Sequence, residues 1–443
     1  MTDINIIYKW AEKAQKAAQQ AGADEVEVFG LSARSIHVDI QLDKIDLARE
    51  THTRGLGIKA IVGGAIGFSS TNMPLYIENA ARAAVSSAKV RANDPEWSGL
   101  ARGSIYTKVA RIFDPRIASI DIDTCIDLST SMIEGAVSVK AAIPTTGKFT
   151  CSSSDYLILN TSGVEVKEKT TRIDGYMECR SGEGSGLANA YEFDISRNLD
   201  IDFNHIGKEA ARLAAASVNG VGIETCETEV LLKPSAIADI LESTFLSSLS
   251  ADNVQKERSA LIGKLGDQLT VEGLDIVDDG MLEGGIGSAQ SDDEGTPSRK
   301  NHIIRNGKLC TYLYDTYTAG KAGVESTGNA SRNSYAQTTS IDIRNLKLEF
   351  PPSDVIAETS KGVLVGSVIG AHTANPISGD FSVEARNSFI IKDGEITSPI
   401  KSMMVTGNVF QLLQNINGAG KDVKVLGNII TPTIKVSGLR VIG

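Results

Sequence analysis

A chain of 443 residues, 41% of them hydrophobic, is long enough for two or three domains with sizeable cores. Its formal charge of −11 argues against generic nucleic-acid binding, which needs a basic surface. No apolar run reaches membrane-spanning length, and the polar N-terminus does not read as a secretory signal. Five cysteines (Cys125, Cys151, Cys179, Cys226 and Cys310) lie far apart with no C-x-x-C pair. That spacing suits free thiols in a cytoplasmic protein better than a zinc ribbon or a disulfide framework.

Asp3 is expected to cap a first helix in which Ile7, Trp10, Ala14 and Ala17 recur at helical spacing, with Gly22 at its end. Alternation predicts strands over 25–29 and 35–42, leading into glycine-rich antiparallel strands over 55–67. An alanine-rich helix follows over 78–90, then a third over 124–142. Strands are expected over 156–160 and 164–170 around a Ser162-Gly163 turn, and a helix over 205–217. Gly220 and Gly222 mark a boundary, giving an N-terminal α+β domain over 1–222 with antiparallel strands and flanking helices.

The second half, 223–443, opens with a strand over 229–232. Pro234 then takes the first position of a helix carrying Ile237, Ile240, Leu241, Phe245 and Leu249. Beyond it the chain reads as short strands and glycine turns with one brief helix near 409–416, a β-rich barrel- or sandwich-like domain. HIIRNGKL from His302 and FIIKDGEI from Phe389 each place an Asn-Gly or Asp-Gly turn between alternating strands, and are expected to form comparable hairpins in one sheet system.

The chemistry concentrates between Ser288 and Gly320. Asp292, Asp293 and Glu294 sit on a loop punctuated by Gly295 and Pro297, ahead of Tyr312, Tyr314 and Tyr317. Neighbours on extended chain point to opposite sides, so at most two of the three carboxylates converge. They form either a solvated acidic turn neutralised by Arg299 and Lys300 or a functional loop. No nucleophile elbow, P-loop or dinucleotide fingerprint is present. Of the scattered histidines, only His205 shares a helix face with a carboxylate, Glu209, and that set is incomplete for a metal. His372, in a polar glycine loop, is the better functional candidate.

DDEGTPS (292–298), LYDTYTA (313–319), STGNASR (326–332), ANPISGDFS (374–382) and the closing TPTIKVSGLRVIG resemble the TldD/PmbA family, also called the modulator-of-gyrase family. The resemblance runs in the family's order through the second half and more weakly through the first. It implies two kinds of subunit. TldD-like members carry HExxxH and a later cysteine, which bind a catalytic metal expected to be zinc, and cleave small or unfolded peptides in a heterodimer. TldE/PmbA-like members lack those ligands. Aligned on 251–267, this chain shows ESTFLS at the motif: the histidine positions fall on Glu242 and Ser247, the glutamate position on Ser243. No cysteine follows Cys310.

The resemblance therefore implies a non-catalytic TldE/PmbA-like subunit with no cofactor of its own, paired with a zinc-bearing TldD-like partner. Asp292, Asp293, Glu294, Tyr314, Tyr317 and His372 would line the peptide chamber. Two alternatives stand beside it: an autonomous homodimeric hydrolase using the 292–294 loop, or a regulator that binds a partner such as DNA gyrase. Association is expected to rest on apolar strands over 362–369 and 389–391 and on the closing VSGLRVIG.

Overall fold

The computed structural model describes residues 3–443, with Asp3 and Ser185 described by backbone alone. The expected cap by the Asp3 side chain lies outside the described residues.

The first half is built on one antiparallel six-stranded sheet. Its strands run, edge to edge, Ala65–Thr71, Lys44–Val62, Glu25–Gln41, Ala142–Asn160, Glu165–Ser181 and Ala188–Ser196. Side chains alternate along each strand, so the sheet has two unlike faces. Val26, Val28, Leu56 and Ile58 pack against helices Asp3–Gln20 and Ile77–Lys89. Further along the same face, Ile36, Phe149, Ile173 and Met177 pack against Ile122–Val137 and Phe203–Ala216. The other face carries Glu27, Phe29, Lys59, Ile158 and Val166 and meets the second half, whose Tyr335 joins that cluster. Gly57 is required there: a Cβ would lie 2.2 Å from the Tyr335 carbonyl oxygen.

The second half holds a mostly antiparallel nine-stranded sheet, centred on Ile434–Ile442 and Cys226–Leu232, and a six-stranded sheet centred on Asp275–Asp279 and Leu346–Glu349. Neither closes into a barrel. Helix Pro234–Thr244 belongs to their shared core through Ala236, Ile237, Ile240 and Leu241. Pro234 starts that helix because its missing N–H falls where no helical bond is needed. Among the described residues no helix is long and apolar enough to cross a membrane.

Several expectations are corrected. The third helix stops at Val137, because Ala142 begins a strand that runs through Pro144 and Thr145. Strands expected over 156–160 and 164–170 are the ends of 19- and 17-residue strands. Both Gly-turn hairpins form, with Asn306 and Asp393 at φ 47° and 51°, but they belong to different sheets. The strands expected to face a partner mostly serve this chain's own core: Val365 and Val441 are fully buried.

Candidate functional site

The acidic loop is a buried junction between the two halves, which overturns the reading of a solvated turn neutralised by Arg299 and Lys300. Arg299 pairs with Glu325 at 3.2 Å, and Lys300 is exposed. Gly295 adopts φ 87°, a left-handed turn that folds the loop back on Asp292. Asp292 Oδ1 accepts the Glu294 and Thr296 N–H groups at 3.0 and 2.9 Å, and Oδ2 accepts that of Ala330 at 3.1 Å. Asp293 Oδ2 accepts the Arg332 N–H at 2.6 Å. Glu294 turns the other way. Its Oε1 takes the Lys59 ammonium and the Thr339 hydroxyl, each at 2.8 Å, and its Oε2 takes the Thr316 N–H at 3.1 Å.

Lys59 completes a buried chain of charges. It lies opposite Glu27 in the first sheet, 3.2 Å from its carboxylate, and Arg332 pairs with Glu27 from the far side. Burial raises the cost of every charge here, so each must be paired. Burial alone would raise Glu294, but Lys59 and the hydrogen-bond donors outweigh it and hold its carboxyl at about 2. Burial would also lower Lys59, yet Glu27 and Glu294 keep it above the ordinary lysine value. Asp292 is pushed up to about 8 by burial and then by Glu294, against the pull of its three N–H donors. Lone charged residues inside apolar alternation, as in EVEVF and GIKAI, are the only sequence signal for Glu27 and Lys59.

Beside this junction lies a cleft of about 470 Å³, lined by Leu246, Ser247, Asp252, Lys256, Asp315 and residues 339–343 among others. Thr339 belongs to both places, lining the cleft and donating to Glu294. Asp315 caps helix Thr316–Ala322 through a capping box with Thr318. Tyr314 is buried against Tyr312, and Tyr317 leaves the cleft to reach the first half, where its hydroxyl donates to Asp94 at 2.8 Å and its ring stacks on Trp97. His372 is exposed on a single helical turn, Ala371–Thr373, and bonds to none of these groups. Its loop still touches the cleft: the Ser247 and Ser248 hydroxyls donate to the Pro376 carbonyl at 3.1 and 3.4 Å.

The residues at the position where the resemblance implies metal ligands do not fit a metal. Glu242 is exposed on the last turn of its helix, which ends at Thr244 before the buried Phe245. Ser243 and Ser247 offer only hydroxyls, and that of Ser247 is bonded to Pro376. One carboxylate is too few donors for a tetrahedral zinc. Among the described residues no three His, Cys, Asp or Glu side chains gather into a metal-binding group.

Three stretches match the consecutive domains of one metallopeptidase family, PmbA/TldA: domain 1 over 26–88, the central domain over 115–218 and the C-terminal domain over 225–443. The chain belongs to the PmbA/TldD family. It is 31% identical over 435 residues to a protein of Methanocaldococcus jannaschii described as uncharacterized, covering 96% of this chain and 98% of the relative. It is 26% identical over 443 residues to a Metalloprotease PmbA homolog of Haemophilus influenzae, covering 98% and 94%. Its fold is similar to crystalline TldE of Thermococcus kodakarensis, with a TM-score of 0.90 and 27% identity over 98% of this chain and 100% of that one.

Proposed function

We propose that this chain is the TldE/PmbA-like, non-catalytic subunit of a TldD/TldE-type peptidase, and that it completes a peptide chamber around a TldD-like partner's metal. The observation that carries this reading is the ESTFLS segment. At the position where TldD-like members place their ligands, it presents one exposed carboxylate and a serine committed to Pro376. The likeness to TldE supports the same assignment.

Residues 1–222 and 223–443 act as two units joined by the charged junction. The three carboxylates and Tyr317 hold the cleft wall in place, and Tyr314 supports it from behind. An extended peptide would lie in the cleft along Ser340–Ile341, the outer strand of a two-stranded ribbon, through main-chain hydrogen bonds. His372 would stand at the mouth.

The test is reconstitution. The purified chain, alone and mixed with a TldD-like protein from the same organism, is assayed on unfolded peptides with and without chelator. Activity only in the mixture is expected. Chelator-sensitive hydrolysis by the isolated chain would overturn the reading.

A further inference from the structure

The first sheet builds a second cavity away from the acidic junction, and its lining points to a ligand. In strand Glu165–Ser181 the odd residues Ile173, Met177 and Cys179 face the helices. The even residues Asp174, Tyr176 and Glu178 therefore face the second half. The register places Ile195, Phe193 and Tyr191 of the edge strand directly opposite them. Helix Pro234–Thr244 answers with Ser235, Asp239 and Glu242, a stripe at helical spacing bordered by the buried Ala238. The hairpin of Lys424–Leu426 and Ile429–Thr431 closes one end. Together these enclose about 570 Å³, the size of a small-ligand site.

The lining combines aromatic surface with a surplus of negative charge. Tyr176, Tyr191 and Phe193 supply the rings, and Asp174, Glu178, Asp239 and Glu242 the carboxylates. Among the described residues the one cationic side chain in the wall, Arg172, is already paired with Asp174 at 2.8 Å. Among the described residues no cation pairs with Glu178, Asp239 or Glu242. Burial, and after it the neighbouring Glu242 charge, push the Asp239 carboxyl up to about 6. Beside the wall, the Lys424 ammonium lies 5.3 Å from the Phe193 ring centroid, so that ring already receives a cation on one face. A ligand that brings positive charge and an apolar body would relieve the repulsion and cover the rings.

We infer that this cavity binds the cationic end of a short peptide, an ammonium or guanidinium group seated between Asp239, Glu242 and Glu178 with its apolar neighbour against Tyr191 and Phe193. This goes beyond the subunit role, because it requires neither a partner nor a metal.

The test is calorimetry of the full chain with Phe-Arg-amide, its neutral counterpart N-acetyl-Phe-citrulline-amide, and spermidine. Saturable binding of one Phe-Arg-amide per chain is expected, at least tenfold tighter than that of the neutral peptide and weakened by salt. Glu242→Gln, at an exposed position, and Glu178→Gln, at a partly exposed one, should leave folding undisturbed and each weaken it several-fold, and Asp239→Asn should do the same. Circular dichroism confirms that each variant is folded. Equal affinity for the neutral peptide, or folded variants that bind unchanged, would overturn the site. Spermidine binding as tightly as the dipeptide would overturn its assignment to a peptide.

Discussion

Lys59 and Glu294 lie 235 residues apart in the chain, yet the ammonium and the carboxylate meet at 2.8 Å with 6% and 5% of their side chains exposed. One belongs to the first sheet and the other to the acidic loop, so this contact ties the two halves together, alongside Arg332–Glu27 and Tyr317–Asp94. Through Thr339 it also fixes the wall of the cleft.

Replacing Lys59 with Met should be among the most damaging single changes. It keeps the volume but leaves Glu294 buried without its cation and Glu27 with Arg332 alone. Removing one partner of a buried pair costs about 3–5 kcal/mol. Urea denaturation at pH 7 should show a loss of that order. A loss under about 1 kcal/mol, the worth of an exposed pair, would mean that water enters the junction.

Asp292→Asn tests the loop itself. Asp292 accepts three N–H groups, two at Oδ1 and one at Oδ2. An amide at this place must turn its NH2 toward at least one of those donors. The lost bond should cost roughly 1–3 kcal/mol, seen as a lower melting temperature. An unchanged melting temperature with lost activity in a reconstituted assembly would instead assign Asp292 to substrate.

What the sequence disclosed followed the range of each signal. Pro234 and the Asn306-Gly307 and Asp393-Gly394 turns depend on neighbouring residues, and all three form as expected. The long strands were only partly legible. One face of Ala142–Asn160 packs on helices, but the other carries Ser152, Ser154 and Thr146, a polar composition that resembles a loop. The acidic triplet stood out at once, while its partners did not. Arg299 and Lys300 were near in the chain, whereas Lys59 and Arg332 are near only in the fold.

Glu168 gives the chain a pH dependence of known sign. Burial raises its carboxyl to about 7, although the Gln290 N–H, Arg344 and Arg197 pull it down. The folded value thus lies above the unfolded one, about 4.3. Its contribution to stability is fully present below that lower value and is lost as pH rises through about 7. The stability of the native chain relative to Glu168→Gln should therefore fall by on the order of 1–3 kcal/mol between pH 4.5 and 7.5. Urea titrations at three pH values would measure this. A constant difference would mean that Glu168 titrates as an exposed carboxylate.

The closing strand separates folding from association. Val441 is fully buried, paired across the sheet with Val405 on one side and Cys226 on the other. Its neighbour Ile442 points to the opposite face and is only partly covered. An aspartate at 441 forfeits about 1.5–3 kcal/mol of apolar burial and adds a carboxylate with no partner, a further cost of several kcal/mol. Val441→Asp should therefore be insoluble or unfolded, whereas Ile442→Asp should fold with a near-native circular dichroism spectrum. If the proposed subunit pairing uses the face of the sheet that carries Ile442, only the second variant can reveal it, by staying folded while losing its TldD-like partner in size-exclusion chromatography. A folded Val441→Asp that fails to pair would place residue 441 at an interface and not in the core.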